Sequence, residues 1–379
     1  NQISGGVCAA KGFTAAGVHC GVKAGSSPDK NDLALILSEK ECAAAATYTM
    51  NRVKAAPLYV TMDHLENGVA WGVVANSGNA NACCPQSHEN AEAMSASAAA
   101  ATGREPGDFV VASTGVIGQT INISAIQAGL PQAAAALSAD GSDAAAHAIM
   151  TTDTVKKEIA VSLTIGGKEV RLGAIAKGSG MIHPNMGTML AFVTTDCAIT
   201  HEMLSDALHE VVARTFNRVT VDGDTSTNDM CVVLANGMAG NSLIEWKDQD
   251  YETFLAALEE VCRHLSRAIA GDGEGASKLV TCKMHGARSE ESAERLAKVA
   301  VAMGVDTTGM STDEAADAAI AAVKQLSADV NIPHVCEAMK ADEIEVLAKD
   351  AMADACFPGN PREATLDDVI ELFKKICPA

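Results

Sequence analysis

Aromatic residues make up only 3% of this 379-residue chain, so its core has to be assembled mainly from small and aliphatic side chains. Basic residues are also short: 28 Lys and Arg stand against 48 Asp and Glu, a formal net charge of −20. That balance repels phosphate backbones, and no basic stripe with interleaved aromatics offsets it, so no nucleic-acid partner is expected. No apolar run reaches membrane-spanning length, and no membrane partner is expected either. The first residues, NQISGGVCAAKGF, lack both a signal-peptide core and an Arg-rich presequence, so a cytoplasmic protein is expected. Twelve cysteines are present but form no CxxC pair, and they read as small, mostly buried free thiols; Cys83-Cys84 is the single cluster. Ten histidines include no HExxH, so no metal site is expected.

What the chain does have is alanine and ample length. A composition 48% hydrophobic and 20% charged is that of a soluble globular protein, with length for two or three domains. Alanine runs at Ala43 to Ala46, Ala98 to Ala101 and Ala133 to Ala136 are small helix formers suited to close packing on a sheet, which indicates an α/β fold. Gly12 to Lys23 and Asp32 to Leu37 read as short strands or loops, and Leu58 to Met62, Val69 to Ala75 and Phe109 to Ala112 as strands. Helices are expected from about Glu89 to Ala101, from about Ser142 and from about His201 to Thr215. A strand pair is expected around Gly166-Gly167. A long amphipathic helix presents Phe254, Leu255, Leu258, Val261, Leu265 and Ile269 on one face and closes at Gly271.

The stretch Ala176 to Asp196, AKGSGMIHPNMGTMLAFVTTD, is a glycine-rich loop that delivers Thr188 to the start of the apolar strand Met189 to Val193. By itself a threonine there is a β-former with a satisfied hydroxyl. If the chain is cut between Gly187 and Thr188, however, Thr188 gains a free α-amine of pKa roughly 7.7–8.0 beside its own hydroxyl. One residue then holds both nucleophile and base. Other polar segments punctuate the chain: NRVKAAP at Asn51 to Pro57, NSGNAN at Asn76 to Asn81, and STGVIG at Ser113 to Gly118. TTDT at Thr151 to Thr154, FNRVTVDGDTSTND at Phe216 to Asp229 and GDGEGASK from Gly271 complete the set. Each is locally a turn, a cap or a solvated loop, and a glycine after a strand also exposes backbone N–H donors of the kind an oxyanion hole needs.

Taken together, KGSGMIHPNMGTML and these segments resemble the glutamate N-acetyltransferase (ornithine acetyltransferase) family of arginine biosynthesis. The family usually has alanine where Gly187 stands. The resemblance implies a two-part sheet-and-helix fold with a self-cleaved N-terminal nucleophile threonine, Thr188, cut from Gly187. It implies oxyanion donors at Thr114 and Gly115, and substrate contacts at Thr151, Lys177 and Glu274. A cation at Lys177 suits an amino-acid carboxylate, and an anion at Glu274 the cationic end of ornithine.

The resemblance is expected to run from residue 1 to about 300. The family's Asp-x-Asn-Trp-Gly-Arg segment and terminal Asn do not follow. From Met303 to Ala379 the chain instead resembles the C-terminal end of iron-dependent alcohol dehydrogenases, without their nucleotide-binding half or histidine ligands. This tail reads as all-helical. Ser311 with Glu314 caps a helix that Pro333 stops, and Ile344 to Ala355 forms another. Thr365 with Asp368 opens the last, with Leu366, Val369, Ile370, Phe373 and Ile376 inward.

The expected parts are therefore 1–187, 188–300 and the helical tail 301–379. The expected activity is acetyl transfer from N-acetylornithine to glutamate through an acetyl-threonine, with those two small molecules as substrates and no cofactor. Acetyl-CoA stays open as an alternative acetyl donor, and the family's cleaved chains imply an α2β2 assembly. The alternatives are an amidase of the same chemistry, an inactive chimera and, disfavoured by its missing ligands, a metal-dependent alcohol dehydrogenase.

Overall fold

The computed structural model describes residues 1–23, 25–182, 189–279, 281, 325, 328, 336, 339–353 and 364–377. The chain divides into two units, Asn1–Leu279 and Val280–Ala379. In chain order the strands of the first unit are β1 (Gln2–Ile3), β2 (Phe13–Val18), β3 (Leu33–Tyr48), β4 (Val69–Asn76), β5 (Phe109–Ser113), β6 (Lys157–Ile165), β7 (Lys168–Lys177), β8 (Leu190–Thr195) and β9 (Met230–Ala235). Its helices are α1 (Ala56–His64), α2 (Ser87–Thr102), α3 (Ile123–Ala135), α4 (Ser142–Ala148), α5 (His201–Arg214) and α6 (Gln249–Gly271). Among the described residues all nine strands join one sheet, in the order β1-β6-β7-β8-β9-β3-β4-β5, with β2 also paired to β3. The pairs β4–β5 and β8–β9 are parallel and the rest antiparallel.

Both faces of the sheet centre are buried, which explains the near-continuous apolar runs of its strands. Successive side chains alternate between faces: Ala191 and Val193 of β8 pack with Leu204, Leu208, Phe254 and Leu258 from α5 and α6, while Leu190 and Phe192 join the opposite core with Ala145 and Ala148 of α4. A third core forms where Met94 and Ala98 of α2 and Ile126 and Leu130 of α3 cover Leu35, Val74 and Val111.

Two sequence expectations fail here. Ala43 to Ala46 is not helical but lies in the 16-residue β3, paired to β9 from Ala43 to Tyr48. Alanine's helix propensity is a weak prior, and here six ladder partners and burial on both faces outweigh it. Leu58 to Met62 is not a strand but the body of α1, whose Pro57 sits at the helix start where a missing N–H is harmless. Thr61 of α1 then serves the edge strand β5: its hydroxyl accepts from Val111 N–H and donates to Val111 O, both at 2.9 Å. The expected β4, β5 and β8, the β6–β7 hairpin at Gly166-Gly167 and helices α2, α4, α5 and α6 are present. α6 begins at Asp248, whose carboxylate accepts from Asp250 and Tyr251 N–H.

In the second unit, α7 (Ile344–Ala353) and α8 (Leu366–Ile376) stand where helices are expected. Thr365 and Asp368 form the reciprocal capping box. Val369 is buried, Leu366, Ile370 and Phe373 are half-buried, and Ile376, expected inward, is 42% exposed. The expected Ser311–Glu314 cap and the Pro333 stop lie outside the described residues. Among the described residues no helix is long and apolar enough to cross a membrane.

Candidate active site

Thr188 and Gly187 themselves lie outside the described residues. The next residue, Met189, is buried and fixed on both sides: its N–H donates to Asp229 Oδ1 at 2.9 Å and its carbonyl accepts from Met230 N at 3.1 Å. The peptide that joins Thr188 to the sheet is thus anchored by the residue that precedes β9. Asp229 is fully buried, and its Oδ2 has no hydrogen-bond partner among the described residues. Burial raises its carboxyl well above the usual carboxylate range, against the opposing pull of the Met189 amide and the Lys177 ammonium.

Across the parallel pair β4–β5, Thr114 and Gly115 leave the end of β5. The Thr114 N–H is engaged by Asn76 O at 3.0 Å, which leaves the Thr114 hydroxyl and the Gly115 N–H as donors. Lys177, at the end of β7, is buried and donates from Nζ to Thr114 Oγ1 at 3.1 Å. A hydroxyl that already accepts one hydrogen bond has its own hydrogen directed elsewhere, the arrangement an oxyanion donor requires. Gly115 adopts φ +133°, and a Cβ there would fall 2.3 Å from the Gly78 carbonyl carbon and 2.5 Å from Asn79 N. Only glycine fits that turn.

Burial is the main influence on Lys177 and lowers its pKa from the ordinary lysine value. The charges of Asp153, Asp229 and Glu274 oppose that shift and Lys157 adds to it. The sequence expectation of a plain cation is therefore modified: Lys177 is a buried donor tied to Thr114, in surroundings that disfavour its charge.

Thr151 and Glu274 reach this centre through backbone ties. Thr151 N–H donates to Asp153 Oδ2 at 3.1 Å, while Asp153 Oδ1 accepts from Gly178 N–H, next to Lys177, at 2.7 Å. Glu274 N–H donates to Ser179 O at 3.0 Å, and a Cβ added to Gly180 would lie 1.9 Å from the Glu274 carboxylate. Two neighbouring cavities are present. One of about 430 Å³ is lined by Lys30, Asp143, His147, Thr151 and Asp153, and does not include Lys177 or Thr114. A smaller one of about 190 Å³ is lined by Lys23, Gly78, Asn79, Val116 and Gln119, beside the Gly115 turn.

Several residues that hold the site escape sequence reasoning. Asn228 Nδ2 donates to Ala80 O at 2.7 Å and to Ser113 O at 2.8 Å, so it binds the 76–81 loop to the end of β5. Asn76 Oδ1 accepts from the Ser113 hydroxyl at 2.7 Å. Adjacent residues, Asn228 and Asp229, therefore tie the Thr114-Gly115 turn and the segment leaving Thr188 to one point. The clustered Asn and Asp of NSGNAN and DGDTSTND are the only signal of this in the sequence, and they read equally well as turns. Among the described residues no group of three or more His, Cys, Asp or Glu is placed to hold a metal ion. Burial pushes the thiols of Cys8, Cys42 and Cys197 up to about 11, 12 and 12, which disfavours thiolate chemistry at those positions.

The ArgJ family model matches residues 14–362, a span that includes every one of these candidate residues. The chain belongs to the ArgJ family. The ArgJ match also extends beyond residue 300, where the sequence reading ends the likeness, and so takes in most of the tail. The arginine biosynthesis bifunctional protein ArgJ of Symbiobacterium thermophilum is 51% identical over 297 residues, 78% of this chain and 74% of that protein. The ArgJ of Caldanaerobacter subterraneus is 43% identical over 338 residues, 89% and 83% of the two chains. A solved ornithine acetyltransferase of Mycobacterium tuberculosis, complexed with ornithine, is 37% identical over 48% of this chain and 97% of that one, with a TM-score of 0.44.

Proposed function

We propose that this chain transfers an acetyl group from N-acetylornithine to glutamate through an acetyl ester on Thr188, after cutting itself between Gly187 and Thr188. Membership of the ArgJ family supports the reaction class. The observation that carries the site assignment is the Lys177–Thr114 hydrogen bond beside a turn that admits only glycine.

In this reading the Thr188 hydroxyl attacks the acetyl carbonyl and its proton passes to the α-amine of the same residue. The Thr114 hydroxyl and Gly115 N–H stabilise the tetrahedral oxyanion. The carbon–nitrogen bond breaks, ornithine leaves with the returned proton, and the amine of glutamate then takes the acetyl group to regenerate Thr188. Thr151, Lys177 and Glu274 hold the amino-acid part of the substrate. The parts 1–187 and 188–300 assemble as α and β chains in an α2β2 enzyme of the cytoplasm.

Intact mass under denaturing conditions tests this first. Two fragments, the second beginning at Thr188, together with acetyl transfer from N-acetylornithine to glutamate, are expected. Thr188→Ala should give one uncut chain without transfer. A wild-type chain that stays whole, or a Thr188→Ala variant that still transfers, overturns the reading.

A further inference from the structure

Behind the substrate residues lies a set of buried charges that the reaction itself does not use. The side chains of Lys157 and Asp153 are 0% exposed and that of Asp272 7%, with Lys157 Nζ at 2.7 Å from Asp153 Oδ1 and 2.6 Å from Asp272 Oδ2. Withdrawing three charges from water is tolerated only when their remaining donors and acceptors are filled. Here they are. The third Lys157 hydrogen bond goes to Val155 O at 3.2 Å. Asp153 also accepts from Gly178 N–H and Thr151 N–H. Asp272 also accepts from Thr154 N–H at 3.0 Å, from the Thr154 hydroxyl and from Val155 N–H at 3.4 Å.

The partners belong to three separate segments: residues 151–157, the exit of β7 at Lys177 and Gly178, and the end of α6 at Asp272. Ser179 closes the ring, its hydroxyl donating to Asp272 O at 2.7 Å and its carbonyl accepting from Glu274 N–H. Each segment carries one of the residues assigned to the substrate: Thr151, Lys177 and Glu274. Hydrophobic packing alone would leave such loop ends free to slide, whereas a closed set of charged hydrogen bonds has one geometry. Lys157 also lies at the C-terminal end of α6, where the helix dipole favours a cation.

We propose that Asp153, Lys157 and Asp272 form a buried positioning unit that fixes Thr151, Lys177 and Glu274 relative to one another and thereby sets the affinity for the amino-acid substrate. The residues act through others and touch no reacting atom. The inference rests on the proposed function for its substrate, but its geometry is independent of it.

The test compares the cleaved wild-type enzyme with Asp272→Asn, Lys157→Met and Thr154→Ala. The KM for N-acetylornithine should rise about tenfold in Asp272→Asn and Lys157→Met, and less in Thr154→Ala, with kcat little changed and self-cleavage complete. A KM at the wild-type value in folded, cleaved Asp272→Asn overturns the proposal. If Lys157→Met does not fold, the other two variants decide, since both leave Lys157 paired with Asp153. If the wild type transfers no acetyl group, the functional reading falls alone, and amide hydrogen exchange then judges the unit. Exchange at Thr151 and Gly178 should quicken about tenfold in Asp272→Asn, and unchanged exchange overturns the proposal.

Discussion

At the scale of single residues, two positions bear most on the Thr114-Gly115 turn. Gly115 combines a left-handed backbone with a Cβ position blocked by backbone atoms of Gly78 and Asn79, which cannot rotate away. Gly115→Ala should therefore lower kcat for acetyl transfer roughly a hundredfold through a displaced donor, a loss checked by steady-state assay of the cleaved enzyme. Asn228→Ala removes the donor to two carbonyls at once, Ala80 and Ser113. It should reduce stability by about 1–3 kcal/mol in urea unfolding, since buried acceptors are left unpaired. Thr114, Gly115, Thr151, Lys177 and Glu274 can be named from their motifs. Asn228, Asp229 and the charges around Lys157 cannot, because nothing within a few residues of any of them says what they will face. Lys177 and Thr114 are 63 residues apart in sequence, and their contact follows from the order of the strands.

At the scale of elements, periodicity is most legible where one helix face does the burying. The stripe from Phe254 to Ile269 on α6 is buried as its spacing indicates. Leu258, fully buried between α6 and the sheet, is the test: Leu258→Ala should cost about 2–5 kcal/mol of stability by calorimetry or urea titration. One short apolar run differs between sequence and structure for a physical reason. Leu58 to Met62 has neither the length nor the flanks to separate a strand from a helix turn, and its helix is selected by packing on β5. The alanines of β3 show the opposite case, a good helix sequence drawn into a ladder by β9 and β4.

At the scale of the whole molecule, stability against pH reflects carboxyls pulled in opposite directions. The Asp153 carboxyl, which burial acts to raise, and that of Asp272 likewise, are both held below the usual range, Asp153 by Lys177 and Lys157 and Asp272 by Lys157 and Thr154. Their contribution is present above the unfolded value of about 3.9 and is lost as the pH falls through the folded values. Asp229 is raised by burial, so the folded chain favours its protonated form. Its contribution is greatest below about pH 3.9 and declines as the pH climbs towards its folded value. Asp229→Asn keeps an acceptor for Met189 N–H but does not titrate. Its melting temperature relative to wild type should therefore rise as the pH climbs above about 4, and parallel curves would show that Asp229 does not titrate with folding.

The sequence by itself determined the motifs, the amphipathic helices and the hairpin turn, because each of these depends on neighbours within a few residues. Only the tertiary structure decided that Ala43 to Ala46 runs as a strand, that Lys177 is a buried donor to Thr114, and that Asp229 and the Lys157 cluster stand behind the site. A side chain's charge and hydrogen bonds depend on what the fold removes from water around it, and those partners come from segments tens to more than a hundred residues away.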